Sequence, residues 1–371
     1  MQNRSRREFL TQAAGSLVVA PGLVRGSQAN SALTLGLIGC GGRGMYVSGI
    51  FAKNENLKVT AICDIYPDKL EAAAQKYAGA KQYRDHKELL ASGVDAVLIA
   101  TPAFLHPEHF EAAVAARKHI FMEKPAGVNA AGCRRVIAAA KKADPAKRIT
   151  VDYQQRYGKE YRKAYEVVKS GELGAIQMVR AAWMGGGPAI KSGHAANEEK
   201  IRNWFFYREL SGDILIEQDC HNIDVVNWFT GSHPVRVSGY GSRRLRQYGD
   251  IYDNLAATFQ FADGLVFSYS ANQFRTPGFQ DVSETFVCEK GAVNVSRKGY
   301  TIFRGNKQPP ETAVTSYDIT EDNVREFIEG CLNGKIENAA FTAAESTLTA
   351  VMGLEAIVKG RPMTWDEVAK A

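Results

Sequence analysis

The sequence predicts an α/β protein in two parts: a doubly wound parallel sheet, then an α+β domain on a large, mostly antiparallel open sheet. Three observations predict it. Leu33–Gly44 reads as a buried strand running into a glycine turn and a helix. Apolar strand runs then alternate with helical stretches as far as Tyr153. Beyond about residue 235, strand-like runs follow one another with only Gly, Asp and Asn between them. Alternating βα units imply parallel strands joined by crossover helices. Strands in direct succession imply antiparallel pairing. The expected boundaries are 33–153 and 154–371, with residues 1–29 outside the fold.

The first strand ends in Gly39-Cys40-Gly41-Gly42-Arg43-Gly44, a G-x-G-x-x-G, and Met45 to Lys53 continues as a helix. In that context the pattern is the dinucleotide-binding fingerprint of a Rossmann sheet. Gly39 permits the tight turn, Gly41 leaves room for a pyrophosphate, and Gly44 lets helix and strand approach closely. The helix N-terminus then offers free N–H groups to the phosphates. The second strand, Leu57 to Cys63, ends at Asp64, 20 residues after Gly44. A carboxylate there accepts hydrogen bonds from ribose hydroxyls and repels a 2′-phosphate, so NAD is expected over NADP.

The pattern continues with a helix from Pro67 to Tyr77 and a buried strand, Asp95 to Ala100, ending at Thr101-Pro102. A helix from Pro107 to Arg117 leads to the strand His119–Met122, which ends at Glu123-Lys124-Pro125. Asn129 to Ala143 is helical and Ile149 to Tyr153 is the last strand of the first sheet. Gly39, Asp64, Thr101, Glu123 and Tyr153 all follow strand ends, and ligands of such sheets bind at that edge. After the helix Lys159–Ser170 and the strand Ile176–Trp183, the glycine-rich stretch from Gly185 to Asn203 reads as a loop over the site. A helix near Cys220–Phe229 precedes strands at Val235–Tyr240, Leu255–Phe261, Gly264–Asn272, Ser283–Glu289 and Ala292–Val295. Asn323–Cys331 and Ala343–Lys359 are closing helices.

Composition excludes several classes. At 371 residues the chain is long enough for two domains, and 45% hydrophobic with 23% charged residues is ordinary globular usage. The body has no run approaching about eighteen apolar residues, so no membrane anchor is expected. Half of the net charge of +6 comes from Arg4, Arg6, Arg7 and Arg25 against Glu8. The remainder is too small to argue for nucleic acid. The six cysteines, at 40, 63, 133, 220, 288 and 331, show no metal-ligand spacing, and no structural metal is expected. Ser5-Arg6-Arg7-Glu8-Phe9-Leu10 is a twin-arginine signature, followed by the apolar Ala13–Ala20 and a small-residue stretch ending at Ala29. It implies export of the folded protein to the periplasm by the twin-arginine machinery.

Two constellations carry chemistry. Pro125 biases Lys124 towards an extended conformation that can aim its ammonium into the crevice, although a surface lysine beside a turn proline has the same sequence. Glu217 and His221 are four apart, so a helical turn would place them on one face, with Asp224 a further turn away. Histidine suits general-base work near neutrality, and a neighbouring carboxylate can orient it.

Taken together, these features resemble the Gfo/Idh/MocA family of glucose–fructose oxidoreductase and inositol dehydrogenase-like proteins. The resemblance runs from Leu33 to about Lys359. It rests on Gly39–Gly44, Thr101-Pro102 with His106, Glu123-Lys124-Pro125, Gln154-Gln155-Arg156-Tyr157 with Ser170-Gly171-Glu172-Leu173-Gly174, and the acid-x-x-x-His at Glu217–His221. It implies cofactor contacts from Gly39, Gly41, Gly42, Arg43, Gly44, Asp64, Thr101, Pro102, His106, Glu123, Lys124 and Gln154. Substrate contacts are implied from Lys124, Arg156, Asp219 and His221. The family pattern has Asp four before the His and Gly two before it; here Glu217 and Asp219 stand at those places, which reshapes the sugar pocket.

The implied activity is NAD(H)-dependent oxidation of a sugar or polyol. His221 takes the hydroxyl proton as hydride leaves for the nicotinamide, Lys124 hydrogen-bonds the same oxygen, and Glu217 orients His221 or binds a neighbouring hydroxyl. Trp183, Trp204 and Tyr252 are candidates for sugar stacking or for the core. Export implies a tightly held cofactor recycled by a second substrate. The family's open sheet implies a homo-oligomer, a dimer or tetramer. The alternatives are an NAD-dependent glycosidase acting through transient oxidation, and a non-catalytic sugar- or nucleotide-binding protein.

Overall fold

The apolar run LTLGLI forms β1 (Leu33–Ile38), and its residues from Leu35 to Ile38 are fully enclosed. It lies at the centre of the first sheet in the computed structural model, which describes residues 32–305 and 307–370. The twin-arginine signature and the rest of the expected signal lie outside the described residues. Beside β1 run β2 (Leu57–Cys63), β3 (Lys81–Tyr83), β4 (Ala96–Ile99), β5 (His119–Met122) and β6 (Ile149–Val151). All pairings are parallel, in the order β3-β2-β1-β4-β5-β6. The reversal between β1 and β4 opens a crevice at their carboxyl ends, directly above the glycine turn.

Continuous apolar strands have two faces to bury, and both are covered. On one face Phe51, Phe121 and Phe327 meet edge to face, with ring centroids 5.3, 5.5 and 5.7 Å apart. Phe327 comes from the late helix Thr320–Asn333, which packs back on the first sheet. Helix Ala340–Lys359 is long and apolar enough to cross a membrane, but it is mostly buried in the interior. Its Thr347 hydroxyl accepts the Ala126 N–H at 3.1 Å and lies 3.2 Å from the Tyr153 hydroxyl, bracing the ends of β5 and β6.

The second sheet has nine strands: β7 (Ile176–Met184), β8 (Arg236–Ser242), β9 (Asn254–Gln260), β10 (Val266–Asn272), β11 (Asp281–Cys288), β12 (Gly291–Ser296), β13 (Gly299–Phe303), β14 (Glu311–Val314) and β15 (Met363–Thr364). Their order is β14-β13-β12-β11-β7-β10-β9-β8-β15. Every pairing is antiparallel except β7 with β10. β9 shows the required alternation: Leu255, Ala257 and Phe259 are buried while Ala256, Thr258 and Gln260 are exposed. The inner face carries helices Cys220–Thr230 and Ala340–Lys359, with Phe229 stacked on Phe286 at 4.4 Å. The outer face leaves Met178, Val266, Val287, Phe303 and Val314 exposed.

Several elements carry too weak a pattern to be read in advance. β3 is short and polar at the sheet edge, and helix His86–Ala91 has six residues, started by Asp85 accepting the Lys87 N–H. β13, β14 and β15 lie at or beside the rims of the second sheet, where few apolar positions are needed.

Candidate active site

The glycine loop uses each residue for a different reason. Gly39 has φ +96°, and a Cβ there would lie 2.6 Å from the Ala100 carbonyl oxygen. A Cβ on Gly44 would lie 1.9 Å from the Gly39 oxygen, because the helix Gly42–Phe51 packs directly on the turn. Gly41 and Gly42 face open space, and no side chain caps the helix. Its first-turn N–H groups are therefore available to an anion. Asp64 accepts the Cys40 N–H at 2.8 Å on one oxygen and the Tyr66 N–H at 3.0 Å on the other. Each oxygen keeps lone-pair capacity for a hydroxyl. Gly44→Ala is expected to cost about 2 kcal/mol through overpacking, checked by urea denaturation.

Below the loop a cavity of about 290 Å³ is lined by Arg43, Glu123, Lys124, Gln154, Trp183, Trp204, Glu217, Gln218, His221 and Arg297. Arg43 leaves the fingerprint helix to meet Glu123 Oε1 at 2.7 Å and the buried Asp152. Asp152 also accepts from Asn323 Nδ2 at 2.7 Å. Burial, with Asp152 as a like charge, pushes the Glu123 carboxyl up to about 8 against the pull of Arg43. Lys124 follows on the same strand end, before a cis peptide to Pro125. Its Nζ donates to Glu217 Oε1 at 2.9 Å and to the Glu217 carbonyl oxygen. Burial is the largest single influence and opposes its charge, but Glu217, Cys220 and Glu123 together outweigh it and raise the ammonium's pKa.

His221 lies almost parallel to Trp183, ring centroids 6.0 Å apart, and edge-on to Tyr153. Its Nδ1 lies 3.1 Å from Gln155 Oε1, an acceptor, which assigns the proton to Nδ1 and leaves the lone pair on Nε2. Burial, reinforced by Arg297, Lys124 and Arg43, pushes its pKa well below 6.5. His221 is thus a neutral base in a cationic surround.

The stretch from Gly185 to Asn203 contains one helical turn, Glu199–Arg202, and leads to Trp204 on the cavity wall. Arg202 grips Asp68 at 2.8 and 2.9 Å and lies over the Tyr66 ring at 3.9 Å, fastening this segment beside Asp64.

Four expectations are corrected. Glu217 and His221 do not share one helix: Glu217 ends the helix Asp213–Glu217, the chain breaks at Gln218-Asp219, and Cys220 starts the next. Gly212 and Asp213, at φ +76° and +68°, set this turn, with Asp213 Oδ1 accepting the Ile214 and Tyr252 N–H groups at 2.8 and 3.0 Å. The turn delivers Glu217 to Lys124 instead of His221. Asp224 and Arg156 answer each other at 2.7 and 2.9 Å, outside the cavity. Arg156→Ala would strand the wholly buried Asp224 and is expected to cost about 3 kcal/mol, read from the denaturation midpoint. Asp219 is fully buried beside Tyr269, lines no part of the cavity, and has no partner for either oxygen among the described residues. Burial pushes its carboxyl well above the usual range. His106 is buried between the Pro125 oxygen, 2.7 Å from Nδ1, and the Thr101 oxygen, 3.0 Å from Nε2; burial lowers its pKa, and the neutral ring donates to one of these two carbonyls, outside the cavity lining. Of the three aromatic candidates for stacking or the core, Tyr252 takes the second place: it packs against the core under the Arg208 guanidinium, away from the cavity lining.

Gln155, Asp152, Gln218 and Arg297 were not anticipated. Gln155 stood inside a quoted motif and Asp152 just after a strand end. Arg297, in the turn between β12 and β13, carried no sequence signal.

Residues 33–153 match a family model described as an oxidoreductase family with an NAD-binding Rossmann fold, and residues 161–294 match the GFO/IDH/MocA C-terminal domain. The chain belongs to the Gfo/Idh/MocA family. This Gfo/Idh/MocA chain is 25% identical over 259 residues to a myo-inositol 2-dehydrogenase of Thermotoga maritima, covering 68% of this chain and 72% of that one. It is 31% identical over 192 residues to an inositol 2-dehydrogenase of Salmonella typhimurium, covering 51% of each. The chain thus spans about half the length of the Salmonella relative it matches. In structure it is similar to a levoglucosan dehydrogenase in complex with NADH and levoglucosan, with a TM-score of 0.78 at 19% identity, over 90% of this chain and 99% of that one.

The dinucleotide of this family fold is NAD, and the Gfo/Idh/MocA chain fits it. The open face of Gly41 and Gly42, the uncapped helix start and the Asp64 carboxylate match pyrophosphate and ribose. Gln154 Oε1 is buried at the cavity without a partner among the described residues, which leaves it an acceptor for a ligand N–H or O–H.

Proposed function

We propose that the protein is an NAD(H)-dependent oxidoreductase acting on a sugar or polyol hydroxyl, with His221 and Lys124 at the reacting oxygen. The observation that carries this is convergence. One cavity brings together Arg43 of the fingerprint, Lys124 at a strand end of the first sheet, and His221 and Trp183 of the second half.

NAD held by the Gly39–Gly44 loop and Asp64 would supply the acceptor for the carbon-bound hydrogen and its electron pair. The chain's residues do the rest. His221 Nε2 takes the hydroxyl proton, and Gln155 steadies the imidazolium through Nδ1–H. The Lys124 ammonium donates to the same oxygen and stabilises the charge that develops as the proton leaves. Glu217 keeps that ammonium charged and aimed. Trp183 and Trp204 line the same cavity and supply indole surface against which the apolar face of a sugar ring can pack.

The N-terminal signature supports export of the folded protein by the twin-arginine machinery to the periplasm. There a cofactor carried along must be regenerated in place by a second substrate. The exposed apolar outer face of the second sheet supports a homo-oligomer through that face. A glycosidase that oxidises, eliminates and reduces back is the second reading. It is favoured by a further cavity of about 510 Å³ that shares Trp183 and Arg297 with the first and has room for an aglycone.

The test is to denature protein isolated from its exported compartment, identify any released nucleotide by mass spectrometry, and supply inositols, aldoses and aryl glycosides to the native protein. NAD or NADH in stoichiometric amount with sugar-dependent redox change is the expected result. Glycoside cleavage without net NADH selects the second reading. An empty protein that binds NAD only weakly rejects the held-cofactor cycle.

A further inference from the structure

Arg43, Glu123, Lys124, Glu217 and Arg297 are the acidic and basic side chains of the cavity, apart from the neutral His221. Arg43 is paired with Glu123 and with the buried Asp152, and Lys124 with Glu217. Arg297 remains. Its guanidinium carbon lies 5.3 Å from the Trp183 ring centroid, and its Nε and Nη2 are shut from water with no partner among the described residues. The nearby acids are already engaged. Glu284 accepts from Asn222 at 2.7 Å and Tyr161 at 3.3 Å, and Asp152 accepts from Arg43 and Asn323.

A buried guanidinium edge without an acceptor is costly to the fold. Nε–H and Nη2–H lie along one edge of the planar group, the fork that a carboxylate fills with both oxygens. No salt bridge has to break for Arg297 to turn to a ligand. A second observation points the same way. Arg297 also lines the neighbouring cavity, where Arg180 and Lys298 join it and Asp281 is the only acid. Both spaces beside Trp183 therefore present unbalanced positive charge.

We infer that Arg297 binds the carboxylate of an acidic sugar, so that the substrate is a hexuronic acid or another carboxylated sugar and not a neutral polyol. This rests on the reading of the cavity as a sugar-oxidising site and gives its substrate class. The carboxylate would be anchored on Arg297, the one cavity cation with no carboxylate partner among the described residues, while His221 and Lys124 meet a ring hydroxyl.

The experiment is calorimetric titration of the NAD-saturated full chain with D-glucuronate against D-glucose, D-galacturonate against D-galactose, and glucose 6-phosphate as a different anion. At least one uronate is expected to bind roughly tenfold or more tightly than its neutral parent. In Arg297→Gln the two affinities should converge, and Arg297→Lys should keep part of the difference. Uronates that bind no better than their parents, or not at all, overturn the inference. So does a preference that survives Arg297→Gln, or glucose 6-phosphate binding more tightly than either uronate. Thermal unfolding separates a structural role: Arg297→Gln without ligand should unfold no lower than the parent protein, and a clear drop would assign Arg297 to the fold. Heat of binding is independent of NADH formation. Uronate binding without turnover would keep the anion site and reject the oxidoreductase reading; turnover of neutral sugars without uronate preference would do the reverse.

Discussion

Replacing His221 with alanine is expected to lower kcat/KM for a sugar substrate about a thousandfold while NAD stays bound. The loss follows from what no neighbour can supply. The other groups on the cavity wall are cations, carboxyls engaged with those cations, amides and indoles. None offers an unengaged nitrogen lone pair. The glycine loop and Asp64 are separate from His221, so nucleotide release measured by mass spectrometry should not change. The pH profile adds a second check. Because burial and nearby cations hold the imidazole well below 6.5, the neutral base persists on the acid side of neutrality. The rate of the wild-type protein should stay level as pH falls through 6.5 and drop only further down. A break at 6.5 in kcat/KM would mean that the ring titrates as if in water and that the buried, cation-flanked setting is wrong.

Lys124→Met should reduce kcat about a hundredfold or more, with the smaller change in KM. Methionine preserves length and packing but removes the donor to the reacting oxygen. Glu217→Gln isolates the electrostatic part. Burial is the largest single influence and lowers the Lys124 pKa; Glu217, with Cys220 and Glu123 beside it, turns the net shift upward. Removing the carboxylate takes away the main force opposing burial, so the ammonium gives up its proton at a lower pH. Wild-type activity should therefore extend further into alkaline pH than that of Glu217→Gln. The variant should gain a descending alkaline limb while matching the parent's acid side. Identical alkaline profiles would show that Glu217 does not sustain the lysine's charge.

The nucleotide half was legible because its constraints are local. A glycine that must adopt φ +96°, another whose Cβ would lie 1.9 Å from a carbonyl, and an acid at the next strand end all leave marks at fixed spacing. Apolar runs of both periods likewise announce β1, β2, β4 and the alternating strands β9 and β10. The second half was legible in kind but not in detail. The edge strand β14 and its neighbour β13 bury one face lightly and carry weak alternation, and the six-residue helix His86–Ala91 is shorter than a periodicity can show.

Side-chain partnerships were the least legible part. Spacing placed Glu217 beside His221, yet the left-handed pair Gly212-Asp213 and the break at Gln218-Asp219 send Glu217 to Lys124, 93 positions away. Arg156 resembled a substrate ligand but is spent on Asp224, and Asp219 is folded away from the cavity. Arg297 reaches the site only because β12 and β13 turn beside Trp183. The sequence by itself determined the two-sheet class, the dinucleotide loop and the acid Asp64 at the next strand end, since each follows from backbone conformation or short-range period; it also singled out Lys124 and His221, which line one cavity. The tertiary structure alone decided which carboxylate serves which cation, which histidine nitrogen carries the proton, and which cation is left unpaired. Those outcomes depend on burial and on contacts between distant segments, and no short-range period encodes either.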